Sequence, residues 1–218
     1  MSVDSKSIAA RLLAAQLAID AVLANPSLQA ALTPFGYTVA RMNNARALYE
    51  QAEALTAAQK MEYGEQYEAT QTVNDLLNTA QTAYKRSLQL ARIAFKRNTK
   101  AQAGLGLNGE RKRTYSGWIS QAELFYQGLL ASPELLADMA QFGYDATKVE
   151  AEFALVSAVR AAHVEQEREK GEAQDSTQAR DAALDELDEW MSDFKTVAHI
   201  ALTDMGQKLE SLGFGPIP

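Results

Sequence analysis

The chain has 218 residues, 47% of them apolar, with a formal net charge of −7, a sequence pI near 5.0 and no cysteine. It is long enough for one large or two small cores and too apolar to be disordered. The missing cysteines exclude disulfide scaffolds, thiol catalysis and cysteine-ligated zinc or iron–sulfur centres.

Thirty-nine residues are alanine, and the five prolines fall at 26, 34, 133, 216 and 218. Alanine is the best helix former and an interior proline costs about 3 kcal/mol, so long proline-free stretches predict an all-α chain. A first helix is expected over residues 7–24. It carries Arg11, Gln16 and Asp20 and so lacks the unbroken apolar run of a membrane span or signal core. The chain therefore reads as soluble and cytoplasmic. Pro26 opens a short helix over 26–33, as suits the first helical position.

Phe35-Gly36-Tyr37 follows as a hinge. Gly36 suits the left-handed conformation that ends a helix, and Thr38 is a good N-cap for the next. That second long helix is expected over 38–63. Gly64, with Thr70 available as a cap, predicts a helical hairpin with its tip at 64–70. The absence of proline from 61–69 leaves one unbroken helix as the alternative. A third helix over 70–100 is marked by Val73, Leu77, Ala80, Tyr84, Leu88, Ala91 and Phe95, which step by three and four along one face. Residues 101–110, with Gly104, Gly106 and Gly109, form a short connector.

The same plan then recurs 107 residues later. Leu130-Ala131-Ser132-Pro133-Glu134-Leu135 matches Leu23-Ala24-Asn25-Pro26-Ser27-Leu28, and Phe142-Gly143-Tyr144 matches the first hinge. Without a gap, 25 of 103 aligned pairs are identical. The sequence thus reads as a tandem duplication of a three-long-helix unit, residues 1–107 and 108–218. In the second copy helices are expected over 114–131, 133–141, 145–170 and 177–207, with Asp145 as N-cap and a second hairpin tip at Gly171. Ala183, Leu187, Trp190, Phe194, Val197 and Ala201 repeat the three-and-four stepping, so both stripes read as coiled-coil-like seams of a bundle.

Charge is unevenly spread. Nine bases lie between Lys85 and Arg113 against the single acid Glu110, whereas sixteen acids and five bases lie between Glu134 and Asp193. Arg86 corresponds to Asp193 and Arg97 to Asp204 across the repeat, which suggests complementary surfaces within one molecule or between two. The net negative charge argues against nucleic acid as a partner.

Catalytic chemistry is sparse. A di-iron bundle needs Glu-x-x-His pairs, but Arg160 and Thr196 stand three residues before the two histidines, His163 and His199. Gly104-x-Gly106-x-x-Gly109 follows a basic helix rather than a strand and so lacks the dinucleotide-binding context. The expectation is a non-enzymatic structural or protein-interaction bundle with no cofactor or metal, binding a protein partner or itself as a homo-oligomer. Its candidate interaction residues are Phe35, Tyr37, Phe142, Tyr144, Arg86, Arg97, Asp193 and Asp204. The competing readings are a membrane-active first helix, which lacks the Lys/Arg-rich polar face such helices carry, and a bundle holding a small apolar ligand. If the hinge aromatics plug the bundle end, Phe142→Ala should cost about 3–5 kcal/mol.

Overall fold

Ser7 starts the first helix, α1 (Ile8–Ala24), by accepting a hydrogen bond from the Ala10 amide through its side chain. The structure, a computed structural model, describes residues 7–214, and among them no strand forms. Asn25 is extended, so it ends α1. Its side-chain oxygen then accepts from the Ser27 and Leu28 amides to open α2 (Pro26–Leu32). A 3-10 turn, Thr33–Phe35, leads to Gly36 at φ 81°. The Thr38 hydroxyl, accepting from the Arg41 amide, caps α3 (Val39–Ala94).

Asn98 caps α4 (Thr99–Gly104), and Thr114 caps α5 (Tyr115–Leu130). Ser132 caps α6 (Pro133–Ala140), whose first residue is again proline. Asp145 accepts from the Lys148 amide at 2.9 Å and caps α7 (Ala146–Ala201), and α8 (Gly206–Ser211) follows. The starts of α2, α3 and α4 precede those of α6, α7 and α8 by 107 residues each.

The expected hairpins at Gly64 and Gly171 do not form. α3 and α7 run unbroken for 56 residues each, merging the second and third expected helices of each half. A helical glycine is only about 1 kcal/mol worse than alanine, less than breaking a continuous ladder of backbone hydrogen bonds with no proline or cap to end it. Thr70 and Thr177 do not act as caps. Their hydroxyls donate to the carbonyls of Gln66 and Ala173, one turn back along the same helix. The expected third helix also ends early, at Ala94 rather than near Lys100. There Gln102 Nε2 donates to the Phe95 and Lys96 carbonyls.

Two compact units result, and they are cut elsewhere than at the 107/108 boundary: Met1–Tyr63 with Glu172–Pro218, and Gly64–Gly171. Each contains part of α3 and part of α7. In the first unit, Ile19 and Val22 of α1, Leu28 and Leu32 of α2, Met42 and Ala45 of α3, and Leu187, Phe194 and Ala198 of α7 share one core. The core of the second joins Tyr84, Leu88 and Phe95 of α3 to Phe125, Tyr126 and Leu129 of α5 and to Val149, Val156 and Val159 of α7. There α3 and α7 are antiparallel, since Ser87 meets Glu152 while Thr70, earlier in the chain, meets Gln166, later in it. Most of the stripe from Val73 to Phe95 is buried, as are Ala183, Leu187 and Phe194 of the other.

Candidate functional site

Both hinges have one construction. The Gly36 and Tyr37 amides donate to the Thr33 and Leu32 carbonyls, and the Gly143 and Tyr144 amides donate to those of Ala140 and Met139. This pair of hydrogen bonds around a left-handed glycine turns the chain back and directs the following residue inward. Accordingly, Tyr37 and Tyr144 are each only 2% exposed. The Arg41 guanidinium and the Lys148 ammonium each sit 4.1 Å from the centroid of the tyrosine beside them. Burial raises the hydroxyl pKa of both tyrosines.

Phe35 and Phe142 point the other way, 46% and 42% exposed. The expectation that the hinge aromatics plug the core therefore holds for the tyrosines and fails for the phenylalanines. Phe142 is only about half buried, so its expected stability loss falls below the roughly 3–5 kcal/mol of a fully buried aromatic.

Arg86, Arg97, Asp193 and Asp204 are all exposed. None of them forms an ion pair among the described residues, and neither does any of the nine bases from Lys85 to Arg113. In the first unit, by contrast, Arg11 pairs with Asp188 at 2.7 Å and Asp185 at 3.8 Å, and Arg46 pairs with Asp20. The whole net charge of −7 belongs to the first unit, which holds 15 acids and 8 bases; the second holds 13 of each.

Neither histidine meets a carboxylate in a catalytic arrangement. His163 shares a 3.2 Å hydrogen bond with Gln166 and lies 4.2 Å from the Tyr115 ring, while His199 lies beside Phe214. In the second unit Glu65 and Glu169 bring carboxylate oxygens within 4.8 Å of each other, with Arg168 paired to Glu169. The glycine-rich segment after α4 turns at Gly106, φ 60°, and buries Leu105 and Leu107 in the core. That geometry terminates a helix and forms no phosphate loop.

Sequence reasoning missed a buried polar cluster. Glu152, in the core of the second unit, accepts hydrogen bonds from the Ser87 hydroxyl and, at 3.1 Å, from the Tyr126 hydroxyl. Burial above all, reinforced by the Glu152 charge, pushes the Tyr126 hydroxyl far above its ordinary range. The positions 107 residues away hold Ala45, Phe194 and Ile19, an apolar solution in the first unit. A signal existed in the spacing: Glu152 falls on the stripe Val149, Glu152, Val156, Val159, where a charge is out of place.

No described helix is by itself long and apolar enough to cross a membrane; α1 and the segment after it pass that test only as a pair bent by 98°. Of the apolar residues of α1, Val22 is buried, Ile8 and Leu12 pack partly against the core, and Leu13 and Leu17 are exposed. No protein-family model matches the chain, and no curated protein or solved structure matches it.

Proposed function

We infer that the protein is a non-catalytic, self-associating interaction module, produced by tandem duplication and offering two like surfaces centred on the hinges. The observation that carries this reading is the pair of hinges, each with its tyrosine buried under a cation and its phenylalanine turned outward. Leu17 and Leu124, and likewise Ile93 and Ile200, are further identical pairs exposed at the 107-residue spacing. Packing explains why core residues recur in the two copies. It does not explain recurring exposed leucine, phenylalanine and isoleucine, whereas a contact made twice does.

Two like surfaces on one chain make association divalent, so copies join beyond a pair when both are engaged. Arg86, Arg97, Asp193 and Asp204, exposed and unpaired, supply charge of both signs to orient the contact. The test is light scattering over a concentration series for the wild type and for Phe35→Asp with Phe142→Asp. The wild type is expected at multiples of 23.8 kDa. The double variant is expected at the single-chain mass, with a lower melting temperature but an unchanged helical circular-dichroism spectrum at the assay temperature. A wild type that stays at 23.8 kDa at every concentration refutes self-association.

A further inference from the structure

In the second unit a cleft of about 450 Å³ opens between α3 and the segment that leads into α5. Lys85 and Arg92 project from α3, while Arg111, Lys112 and Arg113 line the other side; no carboxylate is among the lining residues. Tyr84 and Trp118, both almost fully buried, form the apolar wall, with their rings edge to face at 6.2 Å. The cleft is thus strongly cationic, with small exposed parts of two aromatic rings in its apolar wall.

The two arginines nearest the wall are held in place, but by neutral groups. Arg92 donates through Nε and Nη2 to the Leu107 carbonyl at 3.2 and 3.1 Å, and Arg111 Nη2 reaches the same oxygen at 3.4 Å. Arg111 Nη1 donates to the Tyr84 hydroxyl at 3.0 Å, and its buried Nε has no hydrogen-bond partner. Two guanidinium groups therefore converge on one carbonyl with no counter-charge. Arg111 Nη2 also donates to the Gly106 carbonyl at 3.2 Å, so the geometry of both groups is preset by neutral acceptors while no carboxylate offsets their charge, a condition that favours phosphate.

The first unit acts as an internal control. At the equivalent positions Met191, Ser192 and His199 replace Tyr84, Lys85 and Arg92, and Asp188, which lines a hollow of about 430 Å³ there, replaces Gln81 and is already paired with Arg11. That hollow holds a single cation without an ion pair, Lys195, against five in the cleft of the second unit, so the cationic cluster does not follow from the helical plan that both halves share.

We propose that this cleft binds a small phosphorylated organic molecule, its phosphates held by Arg92, Arg111 and Arg113 and its apolar part at the wall formed by Tyr84, Leu88 and Trp118. The volume suits a ligand of nucleoside-phosphate size, since small-molecule sites span about 300–1,000 Å³. This goes beyond self-association, because it uses none of the hinge residues.

The experiment uses the full chain carrying Trp190→Phe, which leaves Trp118 as the only indole. Fluorescence is titrated with inorganic pyrophosphate, with adenosine diphosphate and with a single-stranded oligonucleotide. Adenosine diphosphate is expected to saturate the signal with a Kd below about 1 mM, and more tightly than pyrophosphate. Raising the salt from about 0.05 to 0.3 M should weaken binding several-fold. Lys112→Glu with Arg113→Glu should weaken it at least about tenfold, while Lys96→Glu with Lys100→Glu, exposed and outside the cleft, should leave it within about twofold.

Equal losses in the two charge variants would overturn the proposal by showing only a diffuse positive field. Absence of saturation, or an oligonucleotide that binds far more tightly than adenosine diphosphate, would overturn it as well. Measuring the same binding in the Phe35→Asp, Phe142→Asp chain separates the two readings. Binding there is expected to be intact whether or not the chain self-associates.

Discussion

Gly64 and Gly171 distinguish a continuous helix from a hairpin by the sign of a single substitution. Both lie inside 56-residue helices with negative φ, and a Cβ built on either meets no heavy atom within 4 Å. Replacing each with alanine therefore adds no clash. It removes the conformational entropy glycine has in the unfolded chain, a gain of about 0.4–1 kcal/mol per site. Each single variant should thus be about 0.4–1 kcal/mol more stable; the antiparallel register of α3 and α7 sets the two glycines opposite each other, so they are measured singly rather than summed. Urea unfolding followed by circular dichroism at 222 nm reads this as a higher midpoint at unchanged slope. Gly64→Pro gives the opposite sign, a loss of about 3 kcal/mol or more from the missing amide and the ring clash. A turn at residue 64 would reverse the pattern, tolerating proline and losing stability on alanine if the glycine had a positive φ. Destabilisation by both alanines would refute the continuous helix.

Glu152→Ala strips the Ser87 and Tyr126 hydroxyls of their buried acceptor and should cost about 2–4 kcal/mol, whereas Glu152→Gln keeps an acceptor oxygen and should change stability by less than about 1 kcal/mol. Equal effects of the two substitutions in urea unfolding would show that the hydrogen bonds are unimportant. Because the folded-state pKa of Tyr126 is raised, the stability contributed by its neutral hydroxyl is complete below about pH 10 and falls as pH rises from there toward the folded value. Urea midpoints should therefore drop above about pH 10, and Tyr126→Phe should flatten that limb; an unchanged limb would place the effect elsewhere. At the second hinge, Tyr144→Ala should lower stability by about 3–5 kcal/mol and Phe142→Ala, half buried, by about half as much, as calorimetry of the two variants would show.

Much of the fold is local, and that part was legible. Thr38 and Asp145 each act on an amide three residues away, so their role as helix starts follows from residue type and position, whereas Asn98, inside the stretch expected as helix over 70–100, starts α4. Gly36 and Gly143 likewise end their helices because only a residue without a Cβ takes that left-handed turn easily. The inward course of Tyr37 and Tyr144 was legible in principle, because the residue after such a glycine commonly packs back on the preceding helix.

The 107-residue pattern, the helical character, the Thr38 and Asp145 caps and the charge asymmetry were therefore settled by the amino-acid order alone. The tertiary structure decided which local options survived. It carried α3 and α7 through Gly64 and Gly171, where a turn and a helix differ by about 1 kcal/mol in local preference. It also brought Glu152 to Ser87, 65 residues away, and Arg111 to Tyr84, 27 residues away. Burial and charge convergence at those points are sums over distant segments, and no window along the chain contains them.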